Sequence, residues 1–303
     1  MKIEGRRRSS NFEDRGRGGG GGAGGLPIYA ITSLVRVLGF KGTLIVAAVL
    51  GVGYLFLPAD AKQQLGALLG AGEGGAGQAG SGSACEASNE NRSACDFSRV
   101  VLASTEDVWA QKFQAGALPE YGGTPGAYQP PVLAVFANGV STGCGNASSD
   151  MGPFYCPRDT RLYIDPSFYR VMEQKLRAPG DFAQAYVIAH EVAHHVQNLI
   201  GAMALQLQGE TKNQTSVRVE LQADCLAGVW GHTAQSSLEI TDEDLSEAVN
   251  AAHAIGDDTL GHNDQDDFTH GTSEQRKRWF RRGFTSGDAR QCDTFGVREY
   301  AKL

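Results

Sequence analysis

The sequence predicts an α+β fold: one domain of a few strands followed by helices, preceded by one N-terminal transmembrane helix. Three observations carry this. Short apolar or alternating runs of strand character, 132–136 and 161–165, come before a succession of helical patterns. Residues 42–57 (GTLIVAAVLGVGYLFL) are sixteen consecutive uncharged, mostly apolar residues, about twenty with 38–40 and a snorkelling Lys41, which suits a bilayer span. The 40 glycines of this 303-residue chain crowd into 16–25 and 66–82, which read as unpacked segments, so the folded part is nearer two-thirds of the length.

These divide the chain into a basic cytoplasmic arm (1–27), a membrane anchor (28–58), a glycine-rich tether (59–84) and one domain (85–303). Within the domain, Ser104-Thr105-Glu106-Asp107 resembles a capping box that starts a helix running to about Gln114. A Gly/Pro loop spans 116–130, and a Gly/Ser/Asn-rich loop with two cysteines spans 138–160. Asp181 caps a helix over 182–199 that Gly201 ends. Further helices are expected over 215–231, over 242–255 behind Thr241, and over 273–282 behind Thr272.

The net charge of −7 conceals an asymmetry: residues 1–41 hold eight basic and three acidic side chains, the remaining 262 hold 19 and 31. So acidic a domain is a poor partner for phosphate-rich nucleic acid. Positive charge ahead of the apolar run predicts a cytoplasmic N-terminus and an extracytoplasmic domain, periplasmic or extracellular. Ala59-Asp60-Ala61 resembles a signal-peptidase site, but the forty-residue basic head is long for a leader. Six cysteines agree with an oxidising compartment; by locality Cys85–Cys95, Cys144–Cys156 and Cys225–Cys292 is one pairing among fifteen.

The chemistry centres on His190-Glu191-Val192-Ala193-His194. Histidines at i and i+4 stand one turn apart on one helix face, so their rings converge on one ion, and zinc takes imidazole nitrogen at about 2.0–2.1 Å. Glu191 falls about 100° around the helix from His190, beside the metal, where it can take a proton from a metal-held water and pass it to a leaving amine. A catalytic zinc needs a third protein ligand. Glu220 and Asp224, in Glu220-Leu221-Gln222-Ala223-Asp224, form a second i, i+4 pair on an otherwise apolar helix. One carboxylate would bind the ion and the other would orient a ligand histidine, with Glu220 preferred as the metal ligand.

HEVAH followed by ELQAD resembles the gluzincin arrangement. More narrowly, the chain resembles a bacterial family described as putative neutral zinc metallopeptidases. The matching segments are Gly5-Arg6-Arg7 with Asn11-Phe12-Glu13-Asp14-Arg15, the single anchor, Gly152-Pro153-Phe154-Tyr155-Cys156-Pro157, 190–198, 217–230, Ile255-Gly256-Asp257-Asp258 and 269–284. The resemblance implies a zincin-like fold and a membrane-anchored peptidase acting on peptides or proteins, with one catalytic Zn2+; it names no substrate. His270 is the candidate that would stabilise the oxyanion, or would replace Glu220 as third ligand. The rival reading is a zinc-binding, non-proteolytic envelope scaffold or chaperone.

Among the remaining features, His195 is read as structural and His232 as capping a helix C-terminus. Asp257-Asp258 with Asp264, Asp266 and Asp267 reads as a solvated acidic loop, with a calcium site as the alternative. Arg276 to Arg282 reads as an amphipathic helix with Trp279 and Phe280 turned inward. The strand over 161–165 is expected to pair with an extended substrate.

Overall fold

In the computed structural model the described residues are 1–18, 79–80, 82–121, 126–261 and 264–303; the expected anchor and most of the tether lie outside them. The chain divides into two units, Met1–Arg17 with Ser81–Leu303, and Gly18–Gly80. No described helix is long and apolar enough to cross a membrane.

The expected basic arm does not stand apart from the domain. Strand β1 (Phe12–Gly18) runs parallel to β2 (Val132–Ala137), Phe12 opposite Leu133 and Asp14 opposite Val135. The basic side chains have domain partners: Arg7 holds Glu106 at 2.7 Å and Asp107 at 2.7 Å, and Arg8 holds Asp96. A segment hydrogen-bonded into the sheet lies on the same side of any membrane as that sheet. Residues 1–17 and 81–303 belong to one unit.

Strand β2 in turn pairs in parallel with β6 (Arg161–Ile164), and β6 pairs antiparallel with β5 (Phe154–Cys156), which forms a sheet edge. Alternation sorts the side chains: Leu133, Val135, Leu162 and Ile164 face the main core, while Ala134, Phe136, Tyr163 and Cys156 build a smaller cluster behind. The expected loop over 138–160 holds β5 and a hairpin of β3 (Gly139–Thr142) and β4 (Gly145–Ser148). Because β6 has a neighbour on each side, it has no free edge for a substrate, and that expectation is corrected.

The first helix, α1 (Asn89–Gln114), begins fifteen residues before the expected start, with Ser88 accepting from the Asn91 amide. Ser104 is interior to it and accepts from Trp230 Nε1. After the short α2 (Phe168–Gln174), α3 (Asp181–Leu199) carries HEVAH; its N-cap is Gly180, Asp181 lies in the first turn, and Gly201 turns left-handed just beyond it. Helix α4 (Lys212–Leu238) starts with a Thr211/Gln214 capping box, α5 (Asp242–Ala254) with Thr241/Asp244, and α6 (Ser273–Ser286) with Thr272/Gln275. Since α4 continues to Leu238, His232 is interior, and its Nδ1 meets Phe284 O of α6 instead of its own helix end.

Helices α4 and α6 pack at backbone contact. A Cβ on Gly228 would lie 2.2 Å from Phe280 O, and one on Gly283 would lie 1.8 Å from Cys225 O. Only glycine permits that approach, and it brings Arg276 of α6 beside Asp224 of α4. Trp279 and Phe280 are buried as expected. The three disulfides are Cys85–Cys95, Cys144–Cys156 and Cys225–Cys292.

Candidate metal centre

Helix α3 presents His190 and His194 on its buried face, and α4 brings Glu220 against them. Potential ligand atoms of these three residues all lie within 4.8 Å of one another. His190 Nε2 is 3.1 Å from Glu220 Oε2 and His194 Nε2 is 3.4 Å from Glu220 Oε1. Ligands at 2.0–2.1 Å around a tetrahedral ion are separated by roughly 3.3 Å, so the donor set fits zinc. His270, the alternative third ligand, is not among these clustered donors. A second group, Asp181, Asp244 and Glu247, includes the two partners of the Met1 nitrogen, Asp244 at 2.8 Å and Asp181 at 3.2 Å.

Asp224 lies behind His190, fully buried, with Oδ1 3.0 Å from His190 Nδ1. That approach is a close charge contact rather than an aligned hydrogen bond, since Nδ1 makes no bond of good geometry. The same carboxylate accepts from Tyr186 Oη at 2.5 Å, from Arg276 Nε at 2.8 Å and from a terminal Arg276 nitrogen at 2.9 Å. Arg276, 1% exposed, also stands 3.9 Å from Glu220. Sequence reading missed Arg276 and Tyr186, although each leaves a signal. Arg276 shares a helical stripe with Trp279 and Phe280, and Tyr186 stands four residues before His190.

Burial by itself pushes His190 down, but the close approach of Asp224, the hydrogen bond to Glu220 and the charges of both outweigh it and lift the ring to about 10 in the metal-free protein. Burial would raise both carboxyls, yet the histidines hold Glu220 well below the usual range, and Arg276 with His190 lowers Asp224. His190 therefore contributes stability that is full below its unfolded value of 6.5 and declines as pH rises toward about 10. The carboxylates contribute stability that is full above roughly pH 4–5 and declines on acidification. Metal-free protein should be most stable between roughly pH 5 and 6.5. Urea unfolding in chelator across pH 4–10 checks this; a flat response from 6.5 to 10 counts against the coupling.

The cluster opens on a cavity of about 860 Å³ whose walls include Glu191, His270, Phe168, Met172, Leu176 and Met203. His270 is 47% exposed, its Nδ1 3.1 Å from Asp257 Oδ1. Asp257 is buried, and its other oxygen accepts the backbone amides of Thr269, His270 and Gly271. Asp258 accepts from the Ser273 amide at the start of α6. Asp257 is thus a buried anchor for that turn, while Asp258, Asp264, Asp266 and Asp267 are exposed, as expected of a solvated acidic loop. His195 is structural, between Tyr155 Oη and Gln129 O.

Two histidines and a carboxylate, delivered by two helices to the wall of a cavity in a mixed helix-and-sheet domain, define a candidate metal centre. The chain belongs to the family described as "Putative neutral zinc metallopeptidase", whose model matches residues 1–295. That family implies zinc as the ion. The chain is 45% identical to the uncharacterized protein YpfJ of Escherichia coli (strain K12) over 307 residues, covering 98% of this chain and 99% of that one. It is 41% identical to the uncharacterized protein Rv2575 of Mycobacterium tuberculosis (strain H37Rv) over 187 residues, 56% of this chain and 64% of that one. No solved structure matches it.

Proposed function

We propose that this chain is a zinc-dependent peptidase of the gluzincin type in a zincin-like domain, with one ion held by His190, His194 and Glu220. The observation that carries the reading is the Glu220 carboxylate spanning both imidazole Nε2 atoms at 3.1 and 3.4 Å, on the wall of a cavity that also holds Glu191. Zinc, when bound, supplies a Lewis acid that polarises the scissile carbonyl and acidifies water. Glu191 takes the proton from the attacking water and returns it to the departing amine. Asp224, fixed by Tyr186 and Arg276, keeps His190 oriented. His270, with Nδ1–H donated to Asp257, would donate from Nε2 to the developing oxyanion as the imidazolium, in which both ring nitrogens carry protons.

The substrate is an extended peptide. Strand β5 is a sheet edge, and its residues Phe154 and Tyr155 line the cavity, so β5 takes the strand-addition role expected of β6. The apolar walls favour peptides with bulky apolar side chains. Three disulfides support an extracytoplasmic site of action. The presence of Glu191 in the cavity favours this reading over a zinc-binding scaffold.

The test uses the full chain with disulfides intact. Cleavage of an unstructured protein substrate should disappear with a zinc chelator and return with added zinc, with one zinc per chain in the wild type and none in His190→Ala. Cleavage that survives complete zinc removal would sink the proposal, as would zinc bound without any cleavage.

A further inference from the structure

Behind His194, on the side away from Glu220, lies a chain of buried amides that the ligand set does not use. His194 Nδ1 is 2.8 Å from Gln197 Oε1, three residues on along α3. Gln197 Nε2 donates to Val219 O at 2.7 Å and to Gln222 Oε1 at 3.0 Å. Gln222 Nε2 donates to Cys292 O at 3.0 Å and to Tyr121 Oη at 2.5 Å. Tyr121 Oη donates to Asp293 Oδ1 at 2.8 Å, and Cys292 is disulfide-bonded to Cys225 of α4. Gln197 and Gln222 are both completely buried.

From this geometry we propose that Gln197 and Gln222 are positioning residues for the second metal ligand: a relay that fixes the tautomer and ring plane of His194. The direction follows from donor arithmetic. An amide has one acceptor oxygen and one donor nitrogen. Both Gln197 Nε2 hydrogens are committed to acceptors that cannot donate back, Val219 O and Gln222 Oε1. Gln197 must therefore present its oxygen to His194, and His194 must carry its proton on Nδ1. Nε2 is then the lone-pair nitrogen, and it is the atom facing Glu220. Gln222 is set in the same way, because Cys292 O only accepts. The polarity of the relay thus originates at a backbone carbonyl in the segment tied to α4 by Cys225–Cys292. The two ligand histidines are held by different means, His190 by a buried ion network and His194 by neutral amides.

The inference rests on the zinc reading, and one experiment separates them. Zinc affinity is measured on the full, disulfide-intact chain by competition with a chromogenic chelator, for wild type, Gln197→Leu and Gln222→Met. Far-UV circular dichroism verifies folding. Loss of the Gln197 partner should weaken zinc about 10- to 100-fold, the usual effect of removing a group that orients a metal ligand. Gln222→Met, one link further away, should give a smaller loss in the same direction. In the zinc-loaded wild type the His194 Nδ1 proton should be visible by NMR and protected from solvent exchange, and Gln197→Leu should abolish that protection. Zinc affinity within twofold of wild type in both folded variants overturns the relay alone. Absence of zinc binding by the wild type overturns the relay and the peptidase reading together.

Discussion

Replacing Glu191 with glutamine is expected to reduce peptide hydrolysis by about 10²- to 10⁴-fold, the usual contribution of a positioned general acid–base, while one zinc stays bound. The substitution keeps the shape of the side chain and removes only its ability to accept and return a proton. Glu191 lines the cavity but is not among the clustered ligand atoms, so the donor set of His190, His194 and Glu220 is untouched. It is partly exposed, so stability should move by no more than about 0.5 kcal/mol. The loss should fall on kcat rather than KM, since the carboxylate acts on the water and not on substrate binding. Steady-state cleavage with zinc content measured on the same sample checks it. A Glu191→Gln protein that retains both zinc and wild-type turnover would remove Glu191 from the chemistry.

The largest stability effect is expected at Arg276. Its guanidinium meets both oxygens of Asp224, and both side chains are essentially inaccessible to water. Arg276→Leu leaves the Asp224 carboxylate buried beside Tyr186 and His190 without its principal counter-charge. Breaking such a pair from one side costs about 3–5 kcal/mol, because the surviving ion has lost its partner without regaining water. Asp224→Leu should cost a similar amount by stranding Arg276. The double variant should recover much of the loss, since it leaves no buried charge behind. Urea unfolding of metal-free protein measures all three. Single variants within 1 kcal/mol of wild type would mean that water reaches the pair, contrary to its burial. Zinc affinity should fall in parallel in Arg276→Leu, because Asp224 is then free to turn away from His190.

Much of the candidate site could be read in one dimension because its potential donors come from helices. A spacing of i and i+4 places two side chains on one face wherever the helix packs, so His190 with His194, and Glu220 with Asp224, are paired before any tertiary contact forms. The pairing of the two helices was also foreshadowed: a carboxylate pair on an apolar helix needs buried partners. Capping chemistry located the starts of α5 and α6, since Thr241 and Thr272 satisfy amides only a few residues away.

Elements that depend on remote partners were harder to read. Strand β1 is charged and glycine-flanked, with no apolar alternation; it is a strand because β2 offers it a parallel edge and because Glu106, Asp107 and Asp96 of α1 receive its neighbouring arginines. A run of arginines has one appearance whether it meets phospholipid or an acidic helix. The hairpin and edge strand within 138–160 are short and rich in Gly, Ser and Asn, so local propensity favours loop. Arg276 counted as one of five basic residues on α6 until the glycine contact between α4 and α6 singled it out.

From residue order alone, then, came the class of domain, the two helices that carry the candidate donors and the identity of the paired donors, with the three disulfides offered as one pairing among fifteen. These rest on helical periodicity, capping and proximity along the chain. Only the tertiary structure decided that β5 rather than β6 is the edge beside the cavity. It also decided that residues 1–17 belong to the domain, that Glu220 rather than His270 joins the histidines, and that Arg276, Gln197 and Gln222 stand behind them. Each of these depends on which groups remain unpaired once two distant segments have met, and a local pattern carries no record of what the other segment brings.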